Sequence, residues 1–181
     1  MNWNRISIIG GSGTGKTTLA KELSKIYNIP VTHIDGIHHL ENWQIRDKKE
    51  RDKIILDIVE QEKWIIDGTY KSTLKTRLEK ADLIIWLDYS TMAQLKGILT
   101  RWLKNRGIEK PEIPGCKEQM NKKFFLYVLN YNKEKRRYIV DNMNGIDQSK
   151  VMVFKKQKDL NKWLKSQKEI NANGKTNSRI F

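Results

Sequence analysis

The sequence has few of the residues that cross-link a chain or interrupt its secondary structure. Its 181 residues include one cysteine, Cys116, three prolines and eleven glycines. A lone cysteine excludes a disulfide within the chain, and Cys116 has no cysteine or histidine nearby at metal-ligand spacing, so we interpret it as structurally incidental. The low proline and glycine content excludes collagen-like and mucin-like chains.

Long apolar runs are also absent. No stretch approaches the roughly 20 residues that a membrane-spanning helix requires, and we therefore expect a cytoplasmic protein. A content of 38% hydrophobic and 31% charged residues is typical of one globular domain. We expect this domain to cover residues 1–165. Residues 166–181 show no periodicity and are predicted to form a flexible tail.

Positive charge is concentrated in the second half of the chain. The formal net charge is +14, and residues 91–181 carry 21 basic and 8 acidic side chains, against 14 and 13 in residues 1–90. Such an asymmetry fits a polyanionic partner, either a nucleic acid or the phosphates of a nucleotide. Compositional drift is the alternative explanation, because lysine outnumbers arginine 26 to 9.

A glycine-rich motif follows the first apolar run. Residues 5–9 have the β-branched composition of a buried parallel strand, and Gly10–Thr17 then match the pattern G-x-x-x-x-G-K-[ST]. Leu19, Leu23 and Ile26 follow with helical spacing. The motif therefore lies between a strand and a helix, which is the context that its chemistry requires.

The residue types of this motif are those of a phosphate-binding loop. Glycines let successive backbone N–H groups point inward and form an anion site at a helix N-terminus. Lys16 adds a positive charge toward the β- and γ-phosphates, and the Thr17 hydroxyl is a hard oxygen ligand for Mg²⁺. A ligand-free glycine turn would leave Lys16 an unexplained cation at a positive helix end. The predicted nucleotide-binding residues are Gly10, Gly11, Ser12, Gly13, Thr14, Gly15, Lys16, Thr17 and Thr18.

The rest of the chain alternates strands with helices. We predict further strands at residues 31–34, 63–66, 82–87 and 150–154, and helices at 46–61, 71–80, 92–106, 117–141 and 158–165. Residues 35–46 are expected to form an irregular loop, and 107–115, with two prolines, an excursion or lid. This alternation predicts an α/β sandwich with a parallel sheet, whose functional groups lie at the carboxyl ends of the strands.

The Gly10–Thr17 motif is accompanied by Asp67 after the third strand, and by Arg101 and Arg106 in the helix and lid region. On these features, residues 4–165 resemble adenylate kinase-like P-loop kinases. The resemblance implies a P-loop NTPase fold, a three-layer α/β/α sandwich with a five-stranded parallel sheet of order 2-3-1-4-5. It also implies a small helical lid at about residues 106–117, and ATP and Mg²⁺ as cofactors.

A narrower resemblance rests on residues 34–39, Trp43, residues 64–70 and the pair Leu87-Asp88. These segments are similar to bacterial proteins named DNA topology modulation proteins, which are FlaR-like P-loop kinases. Adenylate kinases place arginines around the acceptor nucleotide, whereas Thr69-Tyr70-Lys71 follow the third strand here. The acceptor loop, with His38, His39 and Trp43, suits an aromatic or sugar-like hydroxyl compound better than an adenylate.

Three acids follow predicted strands, and each has alternative roles. Asp35 is expected to hold the acceptor hydroxyl or act as general base, unless it only forms an Asp-Gly turn. Asp67 follows its strand as a Walker B acid does and is predicted to contact Mg²⁺, directly or through water, with acceptor contact as the alternative. Asp88 is the weaker metal candidate, because its strand is expected to lie one place further from the phosphate loop. Capping the helix that begins near Thr91 would also explain it.

Arginines of the second half are candidates for stabilising the transferred phosphoryl group. Arg101 and Arg106 are expected to close over it with the lid, and Arg136 and Arg137 are the next candidates for nucleotide contacts. A solvated basic helix surface is the alternative for each of them.

Two residue classes have a structural explanation. The three histidines, His33, His38 and His39, lack a completed ligand cluster, and we expect packing or substrate contact rather than zinc. The aromatic residues of 124–138 recur at near-helical spacing, which is typical of a core and less often of a base-stacking platform.

Together these features favour an ATP-dependent phosphotransferase that acts on a small hydroxyl or phosphate acceptor. Two alternatives remain. One is a nucleotide-dependent nucleic-acid-binding protein that affects DNA topology, and the other is a non-catalytic nucleotide switch.

Overall fold

The computed structural model describes residues 3–177, with side chains through residue 173. The strands are β1 (Arg5–Gly10), β2 (Val31–His33), β3 (Trp64–Asp67), β4 (Leu83–Leu87) and β5 (Val151–Phe154). The helices are α1 (Lys16–Tyr27), α2 (Ile34–His38), α3 (Lys48–Val59), α4 (Lys71–Lys80), α5 (Thr91–Asn105), α6 (Lys122–Met143) and α7 (Gln157–Asn177). Short 3₁₀ turns lie at Glu41–Trp43 and Gln148–Lys150. Within residues 3–177, no helix combines the length and the apolarity needed to cross a membrane.

The five strands form one parallel sheet of order β2-β3-β1-β4-β5, as predicted. Its strands are almost continuously apolar because helices cover both faces. One core cluster joins the sheet to α1 and α7, and the other joins it to α3, α4 and α6. Since β1 lies between β3 and β4, the loop after β1 is flanked by the ends of two neighbouring strands.

The segment after β2 is more regular than the irregular loop expected there. Residues 34–38 form α2, and the 3₁₀ turn Glu41–Trp43 follows within a few residues. The backbone N–H of His39 donates to the backbone carbonyl oxygen of Asp35 at 3.0 Å, and this bond ends α2. Helices this short are stabilised by contacts with the rest of the molecule, and the local sequence pattern does not predict such contacts.

The last helix extends well beyond residue 165, where we expected it to end. In place of the first part of the expected tail, α7 continues to Asn177. The Gln167 side chain accepts a hydrogen bond of 2.8 Å from the Tyr27 hydroxyl, and Lys168 pairs with Glu22 at 2.5 Å. These polar contacts with α1 hold this part of α7 in place, although its sequence shows no apolar periodicity. Residues 178–181 of the expected tail lie outside the described part of the chain.

The lid is a compact loop, not the small helical element expected from the resemblance. Residues 106–121 contain no helix, and Glu109 and Lys117 form an antiparallel bridge. The backbone N–H of Lys110 donates to the carbonyl oxygen of Cys116, and the backbone N–H of Glu118 donates to the carbonyl oxygen of Ile108, each at 2.8 Å. Two prolines and two glycines at positive φ interrupt this segment, so a continuous helix is disfavoured. Accordingly α6 begins at residue 122, later than the predicted 117.

Cys116 has a structural role, contrary to the interpretation of it as incidental. Its side chain is fully buried, and its thiol donates to the Leu40 carbonyl oxygen at 3.3 Å. The Trp43 N–H donates to its Sγ at 3.2 Å. A second contact closes the lid on α1, where Glu112 pairs with Lys21. The lid is therefore tied to both sides of the cleft below it.

Candidate functional site

The glycine-rich loop has the backbone geometry expected of the predicted anion site. Gly13 and Gly15 have φ values of 77° and 87°, a conformation that L side chains rarely adopt. Helix α1 begins at Lys16 without a side-chain cap and without an acidic residue in its first turn. Its N-terminal N–H groups and the positive end of its dipole therefore face the loop, where an anion would complete them.

Lys16 is positioned inside this loop. Its Nζ donates to the Gly11 carbonyl oxygen at 2.7 Å. Burial lowers the pKa of the Lys16 ammonium, although Asp67 and Asp35 act in the opposite direction. A desolvated cation of this kind gains from a bound polyanion, since the anion restores the interactions that burial removed.

Helix α5 packs directly on the loop through a second glycine. A Cβ built on Gly97 would lie 2.0 Å from the Gly13 carbonyl oxygen. A Cβ built on Gly11 would likewise lie 1.9 Å from the Gln94 Oε1 atom, and the Gln94 amide donates to the Tyr89 carbonyl oxygen at 2.9 Å. The position of α5, and of any residue on it that faces the loop, is thus set by glycine-to-backbone contact.

This contact leads to a prediction for Gly97→Ala. In an ordinary helix the change stabilises by about 1 kcal/mol. Here the added methyl group collides with backbone that has no room to move, so we expect the free energy of unfolding to fall by about 1–3 kcal/mol. Urea denaturation measures it. The control is Lys96→Ala at the neighbouring exposed position of α5, which should leave the free energy of unfolding unchanged. Equal free energies of unfolding for the two variants would contradict the close packing.

Asp67 connects three elements at the ends of neighbouring strands. Its Oδ2 accepts from the Thr17 hydroxyl at 2.9 Å, and its Oδ1 lies 2.7 Å from His33 Nδ1. The Asp67 residue is only 4% exposed. A hydroxyl and a carboxylate that converge beside a phosphate loop are hard oxygen donors, which Mg²⁺ prefers.

The described residues contain no group of three or more His, Cys, Asp or Glu side chains that could hold a metal ion. This agrees with Mg²⁺ chemistry, because that ion usually takes one or two protein ligands together with phosphates and water. Thr17 and Asp67 fit such a site. His33 is bonded to Asp67 and, like His38 and His39, belongs to no zinc cluster within the described residues.

A buried arginine that sequence reasoning missed shapes the turn after β3. Arg77 is fully buried in α4, and it donates to the carbonyl oxygens of Gly68 at 2.9 Å and Tyr70 at 3.2 Å. Burial lowers its pKa to about 10. The available signal was its position between Leu74 and Leu78, on the apolar face of a predicted helix.

Asp35 lies opposite this turn, at the start of α2. Its Oδ1 accepts from the Tyr70 hydroxyl at 3.0 Å, and the residue is exposed to the cleft. Burial and the neighbouring Asp35 carboxylate raise the pKa of Tyr70, which keeps the phenol protonated as a donor. One carboxylate oxygen is thereby oriented by Tyr70, and the other is left to contact a ligand.

Arg101 and Lys110 approach the loop from the other side, and both are bonded to Glu118. The Glu118 residue is 6% exposed; its Oε1 lies 3.1 Å from Arg101 and its Oε2 lies 3.4 Å from Lys110 Nζ. Sequence reasoning missed Glu118, because nothing local distinguishes it from the other lid acids. It holds a helix cation and a lid cation together above the phosphate loop.

Two cavities meet at these side chains. The phosphate-loop cavity, of about 490 Å³, is lined by the loop, by Asp67 and by the lid. The aromatic cavity, of about 500 Å³, extends between α2, the turn after β3 and the start of α6. Lys16, Asp35 and Arg101 line both of them. The arrangement has the form of two ligand sites that share one boundary.

Known proteins share this architecture. Residues 6–88, from β1 to the end of β4, match the model of the ATPase family associated with various cellular activities (AAA). Shikimate kinase from Bacteroides thetaiotaomicron superposes with a TM-score of 0.55 at 13% identity, over 93% of this chain and 98% of that one. The chain has the P-loop NTPase fold.

Two further shikimate kinases share this P-loop NTPase fold. The enzyme from Acinetobacter baumannii in complex with shikimate has a TM-score of 0.56 at 13% identity, over 94% of this chain and 89% of that one. The enzyme from Aquifex aeolicus has a TM-score of 0.51 at 18% identity, over 96% and 98%. No functionally curated protein matches the sequence. The comparisons do not confirm the narrower resemblance to DNA topology modulation proteins, and they give no support to a DNA partner.

Three predicted arginines line neither cavity. The Arg106 guanidinium lies 5.2 Å from the centre of the Trp102 ring, and Arg137 is exposed on α6. Arg136 donates to both carboxylate oxygens of Asp88. The structure therefore does not bring these arginines to the phosphate loop.

The same ion pair accounts for Asp88. Its strand β4 borders β1 as closely as β3 does, but the Asp88 carboxylate faces Arg136 on α6. The predicted cap of α5 is also a different residue, because the Ser90 hydroxyl accepts from the Ala93 N–H at 3.3 Å. Asp67 is thus the strand-end acid that contacts the motif.

Proposed function

We propose that this P-loop NTPase is an ATP-dependent phosphotransferase that transfers the γ-phosphoryl group to a small acceptor. The observation that carries the proposal is the meeting of the two cavities at Lys16, Asp35 and Arg101. Phosphoryl transfer needs the donor and the acceptor in line, with positive charge between them. The kinase names of the three structural neighbours support the same activity.

The donor site is assigned to the phosphate loop. Backbone N–H groups of the loop after Gly10, through Thr18, bind the phosphate oxygens, and Lys16 exchanges its Gly11 carbonyl partner for the β- and γ-phosphates. Thr17 and Asp67 would hold Mg²⁺, which neutralises charge that develops between the β- and γ-phosphates. The lid covers this site through Glu112 and excludes water, so hydrolysis does not compete with transfer.

The acceptor side is assigned to Asp35. Its free carboxylate oxygen accepts a hydrogen bond from the hydroxyl group of the acceptor and so orients it. The same oxygen takes the hydroxyl proton as the bond to phosphorus forms. Arg101 and Lys110 lie beside the transferred group and stabilise its equatorial oxygens. Glu118 holds both cations in place before the substrates arrive, which avoids reorganisation during the reaction.

Asp35→Asn tests the acceptor role. The amide keeps the size of the side chain and can still accept from Tyr70, but it cannot take a proton. We expect kcat to fall by about 10²–10⁴-fold while the Kd for ATP stays unchanged. Steady-state kinetics and calorimetric titration with ATP measure the two quantities. Asp57→Asn, at an exposed position of α3, is the control, and an equal rate in the two variants would remove Asp35 from the mechanism.

The activity itself is tested with purified protein, ATP, Mg²⁺ and a mixed library of nucleosides, sugars and other hydroxylated metabolites. The expected result is ADP together with a new phosphorylated mass. ATP binding without any product would favour the nucleotide switch. The nucleic-acid alternative predicts DNA affinity that falls steeply with salt. A cytoplasmic location and a single domain over residues 1–165 stay predictions.

A further inference from the structure

The aromatic cavity has an unusual wall. Rings from three separate elements line it, namely His38, His39 and Trp43 around α2, Tyr70 after β3, and Phe124 and Tyr127 on α6. Neighbouring rings contact one another, with centroid distances of 4.9 Å for His38 and Tyr70 and 5.1 Å for His39 and Trp43. Tyr127 nevertheless keeps 42% of its surface exposed. Its ring is therefore open to contact with a ligand.

Apart from Lys135, the ionisable groups of this wall favour a neutral form or contact another side chain. Burial lowers the pKa of both His38 and His39, which favours the uncharged form of each imidazole. The Lys71 ammonium lies 4.5 Å from the centre of the Tyr138 ring, and Lys110 is paired with Glu118. Lys135 also lines the cavity, as a single point charge.

No arginine fork faces the aromatic wall among the described residues. Arg51 is the guanidinium beside it, 5.2 Å from the Tyr70 ring centre, but it donates to Asp52 and Ser72 and does not line the cavity. Arg101 lines the boundary with the donor site and is bonded to Glu118. Planar, bidentate recognition of a phosphate or carboxylate on the acceptor depends on such a fork.

We infer that the acceptor is an uncharged molecule with a planar aromatic ring and a free hydroxyl group, of about the size of a nucleoside. This inference rests on the proposed function and names the substrate class of the same site. The ring lies against Tyr127 and Phe124, and the hydroxyl meets Asp35. Stacking on aromatic side chains recognises a planar ring, and a cavity of about 500 Å³ accommodates one.

The reaction balances with the groups present. A bond forms between the acceptor hydroxyl oxygen and the γ-phosphorus of ATP, and the bond from that phosphorus to the β–γ bridging oxygen breaks. The hydroxyl proton goes to the Asp35 carboxylate, and ADP leaves with the bridging oxygen. The products are ADP and the phosphate monoester of the aromatic alcohol, without any redox change.

The experiment compares acceptors with purified protein, ATP and Mg²⁺. The probes are the four common ribonucleosides with their matched monophosphates, 2-phenylethanol, and the non-aromatic compounds shikimate and ribose. We expect kcat/KM for at least one uncharged aromatic alcohol to exceed that for every monophosphate and non-aromatic probe by about tenfold or more. A preference for shikimate, ribose or a monophosphate would overturn the inference and leave the kinase activity standing.

Two variants locate the recognition. Tyr127→Leu removes a ring that lines the cavity, and Phe125→Leu removes one that is 40% exposed on the same helix and lines neither cavity. For Tyr127→Leu we expect the KM for the aromatic acceptor to rise about tenfold while the KM for ATP stays unchanged. Phe125→Leu should alter neither value, and equal effects of the two variants would overturn the inference.

A binding measurement separates the acceptor class from the proposed function. If no probe is phosphorylated, titration calorimetry with ATP and with each aromatic alcohol still tests both the acceptor class and the proposed function. Binding of an aromatic alcohol that Tyr127→Leu weakens supports the acceptor class. ATP binding without binding of any aromatic alcohol overturns that class alone, whereas the absence of ATP binding overturns the proposed function.

Discussion

Lys16→Met is expected to lower the rate of phosphoryl transfer by about 10²–10³-fold, the loss that follows removal of one preorganised electrostatic donor. Lys16 is the cation of the phosphate loop, and it lies at the boundary of both cavities. Methionine retains most of the length of the side chain, so the change removes the charge and leaves most packing contacts. The Kd for ATP should rise as well, because the ammonium contacts the phosphates before the reaction.

The same variant separates function from stability. Burial lowers the pKa of Lys16, which means that the folded state disfavours its charged form when no anion is bound. Removing the charge should therefore leave the Tm of the ligand-free protein unchanged or raise it. Steady-state kinetics and thermal unfolding measure the two effects. Lys25→Met, at an exposed position of the same helix, is the control; a normal rate for Lys16→Met would contradict the proposed mechanism.

Asp67→Asn is expected to lower activity by about 10²-fold or more and to raise the Mg²⁺ concentration needed for half-maximal rate. The carboxylate accepts from the Thr17 hydroxyl and lies at the end of β3, beside the phosphate loop. An amide has nearly the same shape but no charge, so it is a much weaker magnesium ligand. The rate measured over a series of Mg²⁺ concentrations gives both quantities.

The matched control for Asp67→Asn is Asp88→Asn. Both acids follow strands that border β1, but Asp88 is paired with Arg136. Asp88→Asn should weaken this ion pair and leave the Mg²⁺ dependence as it was. A shifted Mg²⁺ dependence in Asp88→Asn, with none in Asp67→Asn, would reverse the assignment of the metal ligand.

The phosphate loop and the sheet could be predicted from the sequence because their signals are local. The spacing of Gly10–Thr17 and the apolar runs around it specify a strand, a tight turn and a helix within about twenty residues. The strand order followed from the family resemblance, and the structure confirms it. Asp67 was also found locally, as the acid that follows an apolar strand.

The lid and the end of the chain could not be predicted in this way. The buried position of Cys116 depends on Leu40 and Trp43, which are more than seventy residues away in the sequence. The second half of α7 is held by polar contacts with α1. Such contacts leave no periodic pattern in either segment, because each pair consists of single side chains from distant parts of the chain.

By itself the sequence determined that the chain forms a parallel α/β sheet with a phosphate loop, since both follow from short-range periodicity and backbone geometry. Only the tertiary structure decided which charged side chains face that loop. Arg101 faces it and Arg106 does not, although both lie at the end of α5 in sequence. Glu118 makes the difference: it is buried by the lid and holds Arg101, a contact that exists only once the lid has folded over the sheet.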